Sequence, residues 1–390
     1  MKISILCPNV SNNCLGRAYT LAKILQPQYQ VEIIGPAFGN GIWEPLRNEV
    51  GIEIKYTFMS RYLRPYLQLR RLSRSICGDV LYASKPLSTS YLLALFIKKG
   101  RPIVLDIDDW EWGFVQESMK AERIVSRLRR ILKSALFLYR PHRPHNYTSA
   151  WICDKLIRKA DQITVSNRFL QQRYGGTIIH HGRNADQFVP DRWNHKALKK
   201  KHGLHPRVTQ IMFIGTPRPH KGIDDLIEAV RLVPEERVAL AIVGLDRANS
   251  YSINLIKKAK ELLGNRFRAF DPCSFAKLAE FIALADVIVV PQRDSNASWG
   301  QMPAKIFDAM AMGKPIIATA VNDIPTVLEG CGWIVEPANP EALAGSIQEA
   351  ISNRRLAETR GRLAREKFVT QYSWEVIRPR LIEIFRCYET

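Results

Sequence analysis

Short apolar runs alternate along the chain with stretches of helical periodicity. In the first half they predict strands near 2–7, 31–34, 52–56, 79–82, 102–107, 161–166 and 177–180. In the second half they predict strands near 209–214, 237–243, 285–290, 315–319 and 332–335. Strands that alternate with helices form parallel βαβ units, so two such series predict two doubly wound parallel sheets. The fold class is therefore α/β.

The segment that separates the two series is rich in Pro, Gly and Lys. It spans 188–206, FVPDRWNHKALKKKHGLHP, and interrupts both periodic patterns. A chain of 390 residues is too long for one ordinary core. We therefore predict a first domain over 1–190 and a second over 206–372, with an amphipathic helix at 373–390 packed back on the first. Ligands of open parallel sheets bind beyond the carboxyl ends of the strands, which predicts a site in a cleft between the domains.

The overall composition is ordinary, but the net charge indicates what kind of partner the protein binds. Hydrophobic residues make up 46% of the chain and charged residues 24%, but the formal net charge is +20. Such an excess predicts an anionic partner: a phosphate-bearing substrate, an acidic membrane surface or nucleic acid. No recognisable nucleic-acid-binding module is present, and Trp110 and Trp112 lie among acidic residues, so we do not expect nucleic acid to be the partner.

Cysteines and histidines give no metal pattern. The seven cysteines are scattered without a CxxC pair, which favours a reducing compartment over a disulfide framework or a zinc site. His142 and His145 have no Cys or acidic partner at ligand spacing, so we expect no metal there. No apolar run approaches the roughly 18 to 20 residues that span a bilayer, and MKISILCP begins as a strand and not as a cleavable signal. These features predict a cytoplasmic protein.

Two turns in the second half carry the chemistry of an anion site. The stretch Gly215-Thr-Pro-Arg-Pro-His-Lys-Gly222 ends a strand and precedes the helical run IDDLIEAVRLV. Arg218 and Lys221 therefore flank a helix N-terminus, whose amides favour a bound phosphate. Lys305 follows Pro303 in the first turn of a second helix. Glycines at 215 and 300 would let the backbone approach a phosphate closely.

An acidic turn after a strand is the most unusual local feature. Asp106 lies near the end of the run at 102–107, and two further aspartates, one glutamate and two tryptophans follow it directly, in VLDIDDWEW. Such carboxylates face the ligand side of a parallel sheet, and we expect the Trp110 face to stack on a sugar ring. A structural interpretation remains open, in which Asp109 caps a helix and Asp106 anchors a loop.

These stretches in combination resemble glycosyltransferase family four, a group of retaining enzymes with the GT-B fold. The resemblance rests on 215–222, on 303–315 (PAKIFDAMAMGKP) and on 180–190 (HHGRNADQFVP), which is similar to the family's "PNGVD…F.P" turn. It covers the second domain well and the first in outline. It implies two Rossmann-like domains that face a cleft, a nucleotide-sugar donor and no metal or other cofactor.

The resemblance also assigns roles to the donor side. It implies that Arg218 and Lys221 hold the diphosphate and that Asp308 binds the ribose hydroxyls. His220 either hydrogen-bonds a phosphate or faces solvent. This sequence departs from the family at two positions: Thr216 stands where the arginine usually lies, and Gly300 stands where another glutamate is common.

In the first domain the resemblance assigns acceptor and catalytic residues. Asn12, Asn13 and Gly16 lie in the loop that replaces the family's glycine-rich turn, and they contact acceptor or phosphate or form a plain turn. Asp108 stands where many relatives have a histidine-containing turn. We expect Asp108 or Asp109 to polarise the acceptor hydroxyl or to stabilise positive charge on the anomeric carbon, and we add Lys221 as a catalytic candidate. A DxD-type metal site is the alternative for these aspartates.

Two basic segments carry much of the positive charge. Residues 59–76 contain five arginines and no acid, and 120–143 contain eight Lys or Arg against Glu122 alone. In the second segment, Ile124, Leu128, Ile131, Ala135 and Leu138 recur at helical spacing, whereas Arg123, Arg127 and Arg130 fall on another face. Such a helix either lies on an anionic membrane or covers the first sheet with a charged outer face.

The predicted activity is transfer of a hexose-type sugar from a UDP- or GDP-sugar to a glycan or lipid-linked acceptor. The family resemblance implies that the transfer retains the anomeric configuration. The expected product is a cell-surface polysaccharide or glycolipid, made by an enzyme that is cytoplasmic or peripheral on the cytoplasmic membrane face. The alternative is a weakened GT-B scaffold that binds sugar nucleotide or a partner without turnover.

Overall fold

The computed structural model describes residues 1–59, 65–120, 122–135, 144–234 and 237–389. These residues form two compact units. The first unit comprises Met1–His181, Trp299–Met302 and Ile377–Thr390, and the second comprises Gly182–Ser298 and Pro303–Val376. Each unit is built around its own parallel sheet.

The sheet of the first unit has seven parallel strands in the order β3-β2-β1-β4-β5-β6-β7. The central strands β4 and β5 are buried along their whole length, as expected for strands covered by helices on both faces. The strands are β1 Lys2–Leu6, β2 Gln30–Ala37, β3 Glu53–Phe58, β4 Val80–Ser84, β5 Ile103–Ile107, β6 Gln162–Val165 and β7 Thr177–Ile178.

The sheet of the second unit has six parallel strands in the order β10-β9-β8-β11-β12-β13. All the predicted strands are confirmed in the two sheets, but the edge strand β10 was missed because its four residues, FRAF, form too short an apolar run. The strands are β8 Thr209–Ile214, β9 Val238–Val243, β10 Phe267–Phe270, β11 Val287–Val290, β12 Ile316–Thr319 and β13 Trp333–Val335.

Helices connect the strands. Several begin at an asparagine whose side chain accepts a hydrogen bond from the amide three residues on, for example Asn146, Asn167 and Asn339, which satisfies an otherwise unpaired donor. The helices are α1 Cys14–Leu25, α2 Pro65–Arg74, α3 Leu93–Ile97, α4 Glu111–Lys120, α5 Ile124–Ala135, α6 Tyr147–Leu156, α7 Arg168–Tyr174, α8 His195–Lys201, α9 Ile223–Leu232, α10 Ser250–Leu263, α11 Phe275–Leu284, α12 Asn296–Trp299, α13 Ala304–Ala311, α14 Ile324–Leu328, α15 Pro340–Ser352, α16 Arg354–Gln371 and α17 Trp374–Arg386.

The strand orders locate the place where each unit is expected to bind a ligand. The order reverses between β1 and β4 in the first sheet and between β8 and β11 in the second. In open parallel sheets, ligands bind beyond the carboxyl ends of the strands at such a reversal. The loops that follow β1, β4, β8 and β11 are therefore the candidate ligand-binding loops.

Other features bear on the predicted compartment and metal content. All seven cysteines are free. Within the described ranges, no helix combines the length and the apolar character needed to cross a membrane, and no cluster of three or more His, Cys, Asp or Glu side chains is arranged to hold a metal ion. Of the two histidines considered as a metal pair, His142 lies outside the described residues.

Candidate functional site

The turn after β8 is held tightly against the end of β11. Gly222, at the start of α9, has a left-handed φ of 63°. A Cβ at this position would lie 1.8 Å from the Pro291 carbonyl oxygen, so only glycine fits. The turn runs through Gly215, which has a φ of 122°, and through a short 3-10 helix, Pro219–Lys221.

Arg293 braces this turn from the loop after β11. Its backbone amide donates to the His220 carbonyl oxygen at 2.9 Å. Its guanidinium donates two hydrogen bonds to Asp225, at 2.6 and 2.7 Å, a paired geometry that fixes both groups. Sequence reasoning missed Arg293, because nothing in its local pattern indicates that it contacts α9.

Lys305 lies beneath the same turn. It is in the first turn of α13, as predicted, and its Nζ lies 3.7 Å from the centroid of the buried Phe213 ring. A Cβ on Gly215 would lie 3.3 Å from this Nζ. The Gly215 backbone therefore packs directly against the Lys305 ammonium group.

The side chains of Lys221 and Lys305 lie near each other at this turn. Burial lowers the pKa of Lys305 well below its ordinary value of 10.5, and the charge of Lys221 lowers it further. Lys221 donates from Nζ to the Thr216 carbonyl oxygen at 2.7 Å. Among the described residues, Lys305 forms no ion pair with a carboxylate. The arrangement suits a bound anion, which would restore the charged form of Lys305.

Asp308 is close enough to influence the Lys305 charge, but its carboxylate already has a cationic partner. Arg183 donates from Nε to Asp308 Oδ1 at 2.5 Å, and both residues are buried. Trp374 holds the Arg183 segment, because its Nε1 donates to the Gly182 carbonyl oxygen at 2.9 Å and its backbone amide donates to the Arg183 carbonyl oxygen at 3.0 Å. Arg183 lies in the stretch 180–190 that carries the family resemblance, but sequence reasoning assigned neither Arg183 nor Trp374 a role.

The predicted donor residues do not all lie at this turn. Lys221 and Asp308 lie close enough to Lys305 for their charges to shift its pKa. Arg218 is exposed at the start of the 3-10 helix. Gly300 belongs instead to the first unit, where a Cβ on it would lie 2.4 Å from the Trp110 backbone nitrogen. The absence of a side chain at Gly300 is therefore required by the contact with Trp110, and contact of Gly300 with a phosphate stays a prediction.

The acidic turn of the first unit surrounds a buried lysine. Lys85 directly follows β4 and is only 4% exposed. Its Nζ lies 2.7 Å from Asp108 Oδ1 and 3.4 Å from Glu111 Oε1, and it hydrogen-bonds to Asp109 Oδ2. Its φ of 70° is left-handed, a strained conformation for a residue other than glycine. Sequence reasoning missed Lys85, which lies more than twenty residues before the carboxylates that it joins.

The carboxylates around Lys85 have very different proton affinities. Burial raises the pKa of Asp108 to about 7, against the opposing charge of Lys85. Burial would also raise the pKa of Glu111, but Lys85 and His145 together lower it to about 2. Burial opposes the charged form of His145, but the Glu111 carboxylate raises the pKa of His145 to about 10. Asp108 is thus the carboxylate poised to exchange a proton near neutral pH.

The two catalytic candidates differ in how their oxygens are used. Asp109 is held from both sides, since Lys85 binds Oδ2 and Gln301 Nε2 donates to Oδ1 at 2.6 Å. The Asp108 side chain has Lys85 as a neighbour at Oδ1, but without hydrogen-bond geometry. Asp108 is therefore better suited to act on a ligand, and Asp109 to fix the turn.

Trp110 is part of the core and not of an open surface. It is buried among the apolar residues of the first unit, with the Arg173 guanidinium 4.6 Å from its ring centroid and Phe169 packed beside it. The expectation that its face stacks on a sugar ring is therefore corrected, because neighbouring side chains already cover the ring. Asp106 is tied to α1 and not to a loop, because Arg17 of that helix donates two hydrogen bonds to it, at 2.9 and 3.0 Å.

The loop after β1 contains the remaining predicted residues. Asn12 Oδ1 accepts from the Cys14 amide at 3.0 Å, a local turn that precedes α1. Asn13 is exposed with a φ of −61°, so the left-handed conformation that asparagine tolerates is not used here. Gly16 lies within the first turn of α1. Contact of these residues with a ligand stays a prediction.

A separate cavity of about 1120 Å³ lies at the opposite, amino end of the second sheet, where Thr209, Val287 and Pro315 line it. Its basic side chains are largely occupied: Lys199 pairs with Asp286 at 2.6 Å, and Lys314 donates to two backbone carbonyls at 2.8 Å. The turn that holds Lys221 and Lys305 is at the carboxyl ends of the strands, so this cavity is not part of the candidate site.

Comparisons with known proteins support the fold, and one of them covers the turn after β8. Residues 208–353 match the family model described as Glycosyl transferases group 1, so the chain carries a group 1 glycosyltransferase domain. The structure is similar to that of Anabaena HepE, which was solved in complex with UDP and glucose. The similarity covers 99% of this chain and all of the HepE chain, with a TM-score of 0.76 at 16% sequence identity. This likeness confirms the predicted GT-B fold.

Sequence relatives match over parts of their lengths. The D-inositol 3-phosphate glycosyltransferase of Mycolicibacterium gilvum is 28% identical over 200 residues, which are 50% of this chain and 43% of the relative. An uncharacterised glycosyltransferase of Methanocaldococcus jannaschii is 31% identical over 170 residues, which are 42% of this chain and 44% of the relative. The chain thus spans less than half the length of these two relatives.

Proposed function

We propose that this protein is a glycosyltransferase that transfers a hexose-type sugar from a UDP- or GDP-sugar to a glycan or lipid-linked acceptor. The group 1 domain supports sugar transfer, and the complexes of Anabaena HepE with UDP and with UDP-glucose support a UDP-sugar as donor. Retention of configuration and a role in cell-surface polysaccharide or glycolipid synthesis are supported by the family resemblance.

The position of Lys305 carries the proposal. A half-buried ammonium group without a carboxylate partner among the described residues, placed beside Lys221, is unfavourable unless an anion joins it. The diphosphate of a sugar nucleotide is negatively charged, and it gains more negative charge as the glycosidic bond breaks. Fixed cations at the starts of helices stabilise that charge in the transition state. We propose that these groups act without a metal ion.

The other site residues take supporting roles in this proposal. Arg218 is exposed, so it can close on the diphosphate, and His220 lies beside it in the same turn. Asp308 binds the ribose hydroxyls through Oδ2, because Arg183 occupies Oδ1. Asp108 polarises the acceptor hydroxyl or stabilises positive charge on the anomeric carbon, while Lys85 and Asp109 hold it in place.

Location and acceptor contact are also proposals. The first unit is the acceptor-binding unit, with Asn12, Asn13 and Gly16 as contacts in the loop after β1. The enzyme works in the cytoplasm, in peripheral contact with an anionic membrane. The high net charge supports such contact.

A donor panel tests the proposal. The thermal unfolding midpoint of the protein is measured with UDP, GDP and a set of UDP- and GDP-sugars, and turnover with the best ligand is followed as donor hydrolysis or transfer. We expect one nucleotide series to raise the midpoint, because a ligand that binds only the folded state stabilises it. Turnover should persist when EDTA is present.

The variant Lys221→Ala separates the alternatives, with Lys257→Ala, an exposed lysine of α10, as its control. Loss of turnover in the first variant alone supports the enzyme. Donor binding without hydrolysis or transfer would favour the scaffold that binds sugar nucleotide without turnover. The absence of a midpoint shift with every nucleotide would reject the proposed site.

A further inference from the structure

Helix α5 exposes a row of large apolar side chains. Ile124, Leu128 and Leu132 are 73%, 56% and 70% exposed, and Val125 is 60% exposed. The first three lie four residues apart, so with 3.6 residues per turn they form one stripe along the helix, and Val125 widens it. Large apolar side chains grouped in this way mark a binding face.

Basic side chains border this apolar stripe. Arg129 and Lys133 are exposed, and at about 100° per residue they follow the stripe around the helix axis. The described segment 122–135 holds five Lys or Arg and a single acid, Glu122, which pairs with Arg130 at 2.6 Å. The exposed face therefore combines apolar surface with net positive charge.

The packing of α5 decides between the two interpretations of this segment. Ser134 is buried, and its Oγ lies 2.6 Å from the Thr148 hydroxyl of α6, so the helix packs through a polar side. If α5 only covered the sheet, Ile124 and Leu128 would point inward and the charges outward. That interpretation is wrong for these residues; Leu138 lies outside the described residues.

We propose, as an extension of the membrane contact in the proposed function, that α5 is a membrane-docking helix whose apolar stripe (Ile124, Val125, Leu128 and Leu132) enters the interface of an anionic lipid bilayer. An amphipathic helix with Lys and Arg beside a large apolar face lies in the plane of a membrane. Anionic headgroups attract the bordering Arg129 and Lys133. The net charge of +20 draws the whole protein to the same surface.

Other occupants fit these observations less well. A second copy of the chain would bring two helices of like charge together, which is unfavourable. Nucleic acid would match the charge but would leave four large apolar side chains in water. Helix α2 repeats the composition, with Leu67 half exposed and Arg70, Arg71 and Arg74 exposed. An anionic bilayer satisfies both properties of the surface at once.

Flotation with lipid vesicles tests this proposal. The purified full chain is mixed with vesicles of phosphatidylcholine alone or of phosphatidylcholine with phosphatidylglycerol, at low and high salt. The triple variant I124S/L128S/L132S removes the stripe, and V50S/F96S, at two other exposed apolar residues, is its control. The variant R129Q/K133Q is compared with R354Q/R362Q, which removes the same charge from exposed positions of α16.

We expect the unmodified protein to float with the anionic vesicles and to leave them at high salt. The triple variant should lose binding by about tenfold or more, and R129Q/K133Q should weaken it, while both controls bind as before. Far-ultraviolet circular dichroism and the UDP-induced midpoint shift report whether the variants remain folded, and they keep this test separate from donor binding. Equal flotation of the triple variant, no flotation of the unmodified protein, or self-association that the triple variant abolishes would each overturn the proposal.

Discussion

At Lys305 we expect the environment of a single ammonium group to make the proposed donor binding depend on pH. Its pKa is lowered well below 10.5 by burial and by Lys221, so it loses its proton at a lower pH than an exposed lysine does. A diphosphate binds the protonated form. We expect the affinity for UDP, measured by calorimetry, to fall as the pH rises through this depressed pKa.

The variant Lys305→Met should weaken UDP binding by about 10- to 100-fold near neutral pH, because a charge-assisted interaction is worth about 1.5–3 kcal/mol. It should also remove the decrease at high pH. Lys257→Met, at a surface position, should change neither property. A Lys305→Met protein that binds UDP as tightly as the parent would argue against a phosphate at this turn.

Gly300 is predicted to be intolerant of any side chain. A Cβ would lie 2.3–2.8 Å from Trp110 atoms, including its backbone nitrogen, so the overlap cannot be relieved by a side-chain rotation. We expect Gly300→Ala to lower the free energy of unfolding by about 1–3 kcal/mol, measured by urea denaturation. This crowding also explains why the glutamate common in the family is absent here.

Gly345 provides the matched control for that substitution. It lies inside α15, and a Cβ there would meet nothing within 4 Å. Gly345→Ala should therefore stabilise the protein by about 0.5–1 kcal/mol, since alanine is the better helix former. If the two substitutions had the same effect, the contact between Gly300 and Trp110 would not be the cause.

At the scale of elements, the turn after β4 sets the protonation of the turn after β5. Asp108 has a pKa of about 7, so its anion forms as the pH rises through 7. If that anion is needed, kcat should rise over the same interval. Lys85→Met removes the nearest positive charge, so the pKa of Asp108 should increase and the acid limb of the pH–rate profile should move to higher pH.

The same variant should lower the free energy of unfolding at alkaline pH by about 3 kcal/mol, because it leaves buried carboxylates without their cation. The loss should diminish in acid, where those carboxylates are protonated. Lys98→Met, which removes an exposed ion pair with Asp161, should cost less than about 1 kcal/mol and leave the profile unmoved. An unshifted profile in Lys85→Met would show that Lys85 does not tune Asp108.

The elements themselves were largely predictable because their signals are local. Strand β8, TQIMFI, was predicted with its full bounds, since buried parallel strands read as continuous apolar runs. The edge strand β10 was missed, because four residues bounded by Arg266 and Asp271 give a weak local signal. The stripe of α5 was visible as a period, but the side that it faces was not, since periodicity does not say what covers a helix.

At the scale of the whole molecule, the chain returns to its first unit after passing through the second. Residues Trp299–Met302 and Ile377–Thr390 belong to the first unit, and the second of these segments includes Phe385, packed against Tyr82 of β4. The first of them supplies Gln301 to Asp109. The first unit therefore depends on segments far apart in the sequence, and a single domain boundary along the chain does not represent it.

The sequence by itself determined the α/β class, the two parallel sheets and the two helix starts that carry Lys221 and Lys305, where anion binding is a prediction. These follow from short-range periodicity and from the glycines, helix starts and cations of a few neighbouring residues. Only the tertiary structure decided the partners: Lys85 for Asp108, Arg183 for Asp308, and Trp110 for Gly300. Such pairs join residues that lie tens to hundreds of positions apart, and burial gives their charges and contacts their strength, so local sequence patterns cannot specify them.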